Sequence, residues 1–129
     1  MTTGMSLRIE LFVRDLETSI GFYRAALGFR LVRHEPDYAS LRNGDAILGL
    51  GPIARLPEQD GWFSRERLTA ARGLGVEIVL EVDDVLAYRR RVGRAGSNVH
   101  EELRRRPWGL TDFRIVDPDC YYVRVTSRA

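Results

Sequence analysis

A single cysteine, Cys120, stands among 129 residues, so the chain forms no internal disulfide and no cysteine-based metal cluster. No stretch approaches the roughly 18 consecutive apolar residues that a membrane-spanning helix requires. The opening MTTGMSLRIE lacks a basic start followed by an apolar run, so no secretory signal is expected and a cytoplasmic location is. An excess of charge is missing too. Twenty basic residues face 18 acidic ones, a formal net charge of +2, with arginine supplying the positive side. That balance gives no expectation of nucleic acid or membrane partners. The arginine runs YRRRVGR and LRRRP are short and read as solvated helix face and loop. No glycine-rich phosphate loop is present, since GLGVE lacks the lysine and the spacing. Ser19, Ser40, Ser64, Ser97 and Ser127 have no His–Asp partners nearby in sequence, which leaves no nucleophile constellation.

What is present is one pattern used twice. LRIELFVRDLETSIGFYRAALGF begins at Leu7, and VEIVLEVDDVLAYRRRVGRAGSNV begins at Val76. Setting Asp15 on Asp84, an offset of 69, places Ile9, Leu11 and Val13 on Ile78, Leu80 and Val82. Each copy alternates with period two, changes to helical spacing and meets a glycine: a strand, a cap, a helix and a stop. The first helix is expected over about Leu16 to Leu27, with Asp15 as N-cap and Gly28 as left-handed terminator. Leu16, Ile20, Tyr23 and Leu27 form its buried face. The second is expected over about Asp84 to Ala95, with Val85, Tyr88, Val92 and Ala95 as its stripe and Gly96 as stop. Three strand signals follow each helix: RLVRHE, YASLRN and AILGLG, then SNVHEEL, DFRIV and YYVRV. Asn43-Gly44 reads as the central pair of a hairpin turn, both residues favouring positive φ. The length is that of a single domain with a core of its own. Within residues 1–129, module one covers about 5–51 and module two about 76–127; between them, about 52–75 holds a short helix near 64–72.

FVRDLETSIGFYRAALGF and PWGLTDFRIVDPDCYYVRV, set in this doubled order, resemble the vicinal oxygen chelate superfamily. That group holds glyoxalase I, extradiol dioxygenases, fosfomycin-resistance enzymes and bleomycin-resistance proteins. The resemblance covers nearly the whole chain, and the PWG…DF…DPD block is most similar to the bleomycin-resistance branch. It implies an α+β fold in which two βαβββ modules form curled mixed sheets around a cleft. It also implies a homodimer with sites shared between chains. Cys120 stands where the family often has the glycine of DPDG, and it is expected to reshape that turn.

Metal-dependent members of the family carry His or Gln on the first strand, Glu on the fourth, His on the fifth and Glu on the last. Carried over residue by residue, these positions fall on Arg8, Gly49, Glu77 and Arg124. Arginine has no lone pair to give, glycine has no side chain, and one carboxylate does not hold a catalytic divalent ion. His34 and His100 fall outside the ligand positions. The resemblance, with this departure, implies a protein without metal or other cofactor. Period-two alternation puts Arg8, Glu10 and Phe12, then Glu77, Val79 and Glu81, then Tyr122, Arg124 and Thr126 on the cleft face. Arg8, Glu77 and Arg124 are therefore expected to converge as an ion cluster in place of the metal. Phe12, Tyr38, Trp62, Phe63, Trp108 and Tyr122 are the candidate aromatic walls, with Trp108 and Tyr38 as the two jaws around a planar ligand. Trp62 and Phe63, just before the linker helix, also read as a lid or as a simple anchor. The expected function is sequestration of a hydrophobic or planar aromatic natural product, neutral or anionic given a pI near 9.0, as in antibiotic resistance or self-protection. The alternative is a glyoxalase-superfamily enzyme, lyase, isomerase or dioxygenase-like, acting on a small polar substrate.

Overall fold

Alternation followed by helical spacing folds as it reads. A computed structural model describes residues 4–128. In it β1 (Arg8–Val13) leads into α1 (Leu16–Leu27), and β2 (Arg30–Glu35), β3 (Tyr38–Asn43) and β4 (Ala46–Pro52) complete the first module. A 3-10 turn at Ile53–Arg55 and α2 (Arg65–Ala70) occupy the linker. The pattern then recurs as β5 (Glu77–Val82), α3 (Val85–Arg94), β6 (Val99–Arg105), β7 (Thr111–Val116) and β8 (Tyr122–Ser127). Each module is one mixed four-stranded sheet, ordered β1-β4-β3-β2 and β5-β8-β7-β6. The strand before each helix pairs in parallel with the last strand of its module, across a connection long enough to hold a helix and two further strands. The fold is thus α+β, two βαβββ modules with open sheets. Among the described residues no helix is long and apolar enough to cross a membrane.

Side chains fix the helix ends. Asp15, Ser64 and Asp84 each accept a backbone N–H three residues on, and Gly28 closes α1 at φ 70°. The face of α1 bearing Leu16, Ile20, Tyr23 and Leu27 is buried against Leu11, Val13, Leu41, Leu48 and Leu50. The same core runs on into the second module through Ile78, Val92, Phe113, Ile115, Val123 and Val125.

Three local expectations are corrected. α3 ends at Arg94, so Ala95 becomes its cap and is exposed; of the expected stripe only Val92 is fully buried. In the β3–β4 hairpin Asn43 pairs with Ala46 as the last rung, so the central residues are Gly44 and Asp45, and of this pair only Gly44 has positive φ, at 58°. Asn43 is held in the ladder because its amide donates to the Leu27 carbonyl at 3.1 Å and to the Tyr88 hydroxyl at 2.9 Å, tying α1 to α3. The third correction concerns LRRRP: Arg106 is not solvated but 4% exposed, since a carboxylate waits for it inside.

The modules are latched by the turn that follows β7. Asp119, 1% exposed, accepts the Arg14 amide at 3.0 Å and its Nε at 3.1 Å, and the Ser19 hydroxyl at 3.3 Å. Arg72, from the linker, pairs with the same carboxylate at 3.3 Å. Asp117 accepts the buried Tyr23 hydroxyl at 2.6 Å, and the Tyr121 hydroxyl returns to the Phe12 carbonyl at 2.9 Å. Burial raises Asp117 above the usual carboxylate range, and burial followed by the Asp117 charge raises Tyr23 well above the usual phenol value.

Cys120 sits at the tip of this turn with φ 69°, exposed, in a backbone conformation that glycine adopts without a Cβ penalty. A non-glycine residue there costs about 1–2 kcal/mol, partly offset because glycine is more disordered when unfolded. Cys120→Gly is therefore expected to raise stability by roughly 0.5–1 kcal/mol. A chemical denaturation midpoint that falls would contradict this account of the turn.

Candidate functional site

On the first sheet, alternation sends Leu11 and Val13 under α1 and leaves Arg8, Glu10 and Phe12 on the open face. Glu10 lies directly opposite Gly49 in the β1–β4 ladder. Its carboxylate accepts the Tyr38 hydroxyl at 3.0 Å and Arg8 Nε at 3.0 Å. A Cβ at Gly49 would collide with both the Glu10 carboxylate and the Tyr38 hydroxyl. Gly49 is therefore a seat, empty so that a carboxylate and a phenol can occupy it. The Arg33 guanidinium stands 5.1 Å from the Tyr38 ring centroid, and burial, then Glu10, raises the phenol above its usual value. Beside this pair Leu7, Arg8, Glu10, Val32, Arg42 and Ile47 help line a shallow concavity of about 560 Å³. At the end of β1 the Phe12 and Phe63 rings meet, centroids 4.7 Å apart, while Trp62 projects, 73% exposed, with Arg67 4.7 Å over its ring. Phe63 thus anchors the linker to the sheet and Trp62 does not.

The second sheet places charges where the first places an acid and a phenol. Arg124 NH2 meets Glu77 at 3.0 Å. Tyr122 donates to Glu101 at 3.1 Å and takes the His100 ring edge-on at 5.4 Å between centroids. Arg106 holds the fully buried Asp112 through Nε at 2.8 Å and NH2 at 2.7 Å, and reaches Glu101 at 3.3 Å. The Tyr122 hydrogen bond, with Arg114 and Arg106 behind it, keeps Glu101 below the usual carboxylate range. Arg106 itself is buried by the tight turn that follows it: its amide donates to the Leu110 carbonyl at 2.7 Å, and Gly109 takes φ 96°. That turn leaves Trp108 at the tip, 56% exposed.

Half of the expected ion cluster is present. Arg124 and Glu77 pair, but Arg8 lies on the other sheet and binds Glu10 instead. The physical reason is topological: β1 and β5 belong to separate sheets joined through helices, so alternation brings residues to a face without bringing the faces together. Tyr38 lies on the first sheet and Trp108 in the turn between β6 and β7 of the second, and no aromatic contact between them forms among the described residues. His34 is not idle: it lies on β2 and meets Glu17 at 3.0 Å. Sequence reasoning missed Glu101, Arg106, Asp112 and Arg114. Asp112 and Arg114 were legible, since period two carried into DFRIV places them on one face, opposite Thr126 and Arg124. Arg106 was not, because nothing in LRRRP distinguishes its third arginine. The larger cavity, about 690 Å³, is elsewhere, at the seam of α1, the β3–β4 turn and β5, and of the residues expected on the cleft face only Val79 and Glu81 line it.

The residues at the family's metal positions do not fit a metal. Arg8 and Arg124 are donors only, Glu77 is engaged by Arg124, and the space above Gly49 belongs to Glu10 and Tyr38. Among the described residues no three His, Cys, Asp or Glu side chains are grouped to hold an ion.

Comparison with known proteins places this geometry. Residues 6–125 match the model of the Glyoxalase/Bleomycin resistance protein/Dioxygenase superfamily. A lactoylglutathione lyase from Neisseria meningitidis is 33% identical over 125 residues, 95% of this chain and 89% of that protein. A bleomycin resistance protein from Geobacillus stearothermophilus is 30% identical over 117 residues, 83% of this chain and 84% of that one. Among solved structures, a bleomycin-binding protein complexed with bleomycin superposes with a TM-score of 0.69 at 22% identity, covering 98% of this chain and all of the other.

Proposed function

The chain belongs to the Glyoxalase/Bleomycin resistance protein/Dioxygenase superfamily, and on that footing we propose that it binds a small hydrophobic or planar aromatic molecule, neutral or anionic, and sequesters it without a metal. The observation that carries this reading is the donor chemistry at the four metal positions: two guanidiniums, a glycine and an ion-paired glutamate. The bleomycin resistance relative and the bleomycin-binding structure supply precedent for a binding role on this fold. The second reading is a superfamily enzyme acting on a small polar substrate, favoured by the lyase relative that aligns along nearly the whole chain.

In this proposal two copies combine, the open face of one first sheet opposing the other copy's second sheet. Tyr38 and Trp108 then stand as opposite jaws, with Phe12, Phe63, Trp62 and Tyr122 as further walls and Arg8, Glu77 and Arg124 at the floor. Exposed apolar side chains on or beside the open faces support it: Leu7 is 72% exposed, Val32 52% and Val79 42%. Leu7 and Val32 lie together with Ile47 in the concavity of the first sheet, and a contiguous exposed apolar patch marks an interaction surface. The test is elemental analysis of protein purified without chelator, with sedimentation of the same sample. Metal well below stoichiometry and a mass about twice 14.7 kDa are expected. One equivalent of Ni, Zn, Mn or Fe per chain, with lyase activity lost on its removal, would transfer the case to the enzyme.

A further inference from the structure

We infer that the open face of the second sheet carries an oxyanion subsite, in which Arg114 and Arg124 together take a carboxylate or phosphate group of the bound molecule. The inference rests on the proposal that a small molecule binds here and goes further by naming the group this sheet selects.

The ladder sets the problem. Arg114 on β7 lies directly opposite Arg124 on β8. Like charges opposite each other on one sheet face are destabilising, so each needs an anion close by. The acids facing them are Asp112, Glu101 and Glu77, and all three are already engaged. Asp112 is held by Arg106 at 2.7 and 2.8 Å, a pair closed off from solvent. Glu101 accepts the Tyr122 hydroxyl at 3.1 Å and Arg106 at 3.3 Å. Arg114 reaches these two carboxylates only at 3.5 Å and 3.7 Å, too long for a charge-assisted hydrogen bond. Glu77 satisfies one nitrogen of Arg124. The Nε–H groups of both arginines are buried and make no hydrogen bond; that of Arg114 lies 3.5 Å from Asp112 Oδ1, and Asp112 Oδ2 is unpaired as well. A buried donor without a partner costs free energy that a native site recovers when something supplies the acceptor.

The missing partner has a definite chemistry. Two guanidiniums present planar forks that match the oxygens of carboxylate and phosphate. A neutral group leaves the opposition of charges in place.

The experiment follows the arginine Nε–Hε resonances of isotope-labelled full-length protein during titration with sodium benzoate, inorganic phosphate and, as the neutral counterpart, benzamide. Benzoate or phosphate is expected to shift Arg114 and Arg124 saturably while Arg106 stays in place, and whichever anion binds tighter identifies the group. Arg114→Gln and Arg124→Gln should each weaken that binding about tenfold or more, the loss of a charge-assisted hydrogen bond. Arg114→Lys keeps the charge but not the fork and should also bind more weakly. Arg94→Gln, on α3 away from this face, should not. Arg114→Gln should melt no lower than wild type, because it removes a like-charge opposition; if it fails to fold, the other two variants carry the test. The inference is overturned if neither anion shifts these resonances saturably, if benzamide shifts them equally, or if Arg94→Gln weakens binding as much. Failure here is separable from failure of the parent proposal. A neutral aromatic that shifts the Trp108 indole N–H while anions leave the arginines untouched keeps sequestration and removes the subsite. The reverse pattern keeps the subsite and removes sequestration.

Discussion

Asp119→Ala is expected to destabilise the protein by roughly 3–5 kcal/mol, the cost of removing one partner from a buried charge cluster. The carboxylate is 2% exposed and is the meeting point of three segments: the end of β1 through Arg14, the start of α1 through Ser19, and the linker through Arg72. Alanine leaves the Arg72 side chain, 9% exposed, beside no anion and strips the Arg14 amide of its acceptor. A typical domain has only about 5–15 kcal/mol of stability in total, so the variant should be partly unfolded at moderate urea where wild type is native. Asp119→Asn keeps the shape and an acceptor oxygen and should lose less. Equilibrium urea denaturation, followed by circular dichroism, measures both. A midpoint for Asp119→Ala within error of wild type would mean that the apolar core alone holds the modules and that the latch is incidental.

Trp108→Ala is expected to weaken binding of a planar aromatic ligand by about ten- to a hundredfold, since burying a large aromatic against a ligand contributes about 1.5–3 kcal/mol. Stability should change by no more than about 0.5 kcal/mol, as for other exposed positions away from caps and cores. The two expectations follow from one observation: the indole is 56% exposed at the tip of a turn whose geometry is set by Arg106, Gly109 and Leu110. It contributes little to the chain that holds it, so its surface is available to something else. Calorimetric titration with a panel of aromatic antibiotics, beside thermal melts of both proteins, checks the pair. Unchanged affinity together with a much lower melting temperature would make Trp108 a structural residue and end its role as a jaw.

The elements of the fold were legible because their signals are local. Asp15 and Gly28 bound α1 by satisfying its own free amides and carbonyls, and the alternation in RIELFV and EIVLEV assigns faces from the pleat alone. The doubled order of strand, helix and three strands is the sum of such signals. Asn43 shows where locality ends. Its dipeptide with Gly44 is a turn signal, but the register is decided by Leu27 and Tyr88, which its amide reaches. Arg106 shows the same thing for charge: three arginines in a row are equivalent in sequence, and only the turn and Asp112 select which one is buried.

By itself, then, the sequence determined which residues lie on helices and strands and which faces they share. The tertiary structure alone decided which charges meet. Arg8 was assigned to Glu10 rather than Glu77, Arg106 to Asp112, Asp119 to Arg14 and Arg72, and Arg114 was left opposite Arg124, reaching Asp112 only at 3.5 Å. The reason is the range of the forces. Capping and pleating act over a few residues of chain, whereas an ion pair forms between whichever oppositely charged groups packing brings within about 4 Å, and that distance is set by how two sheets and their helices come together.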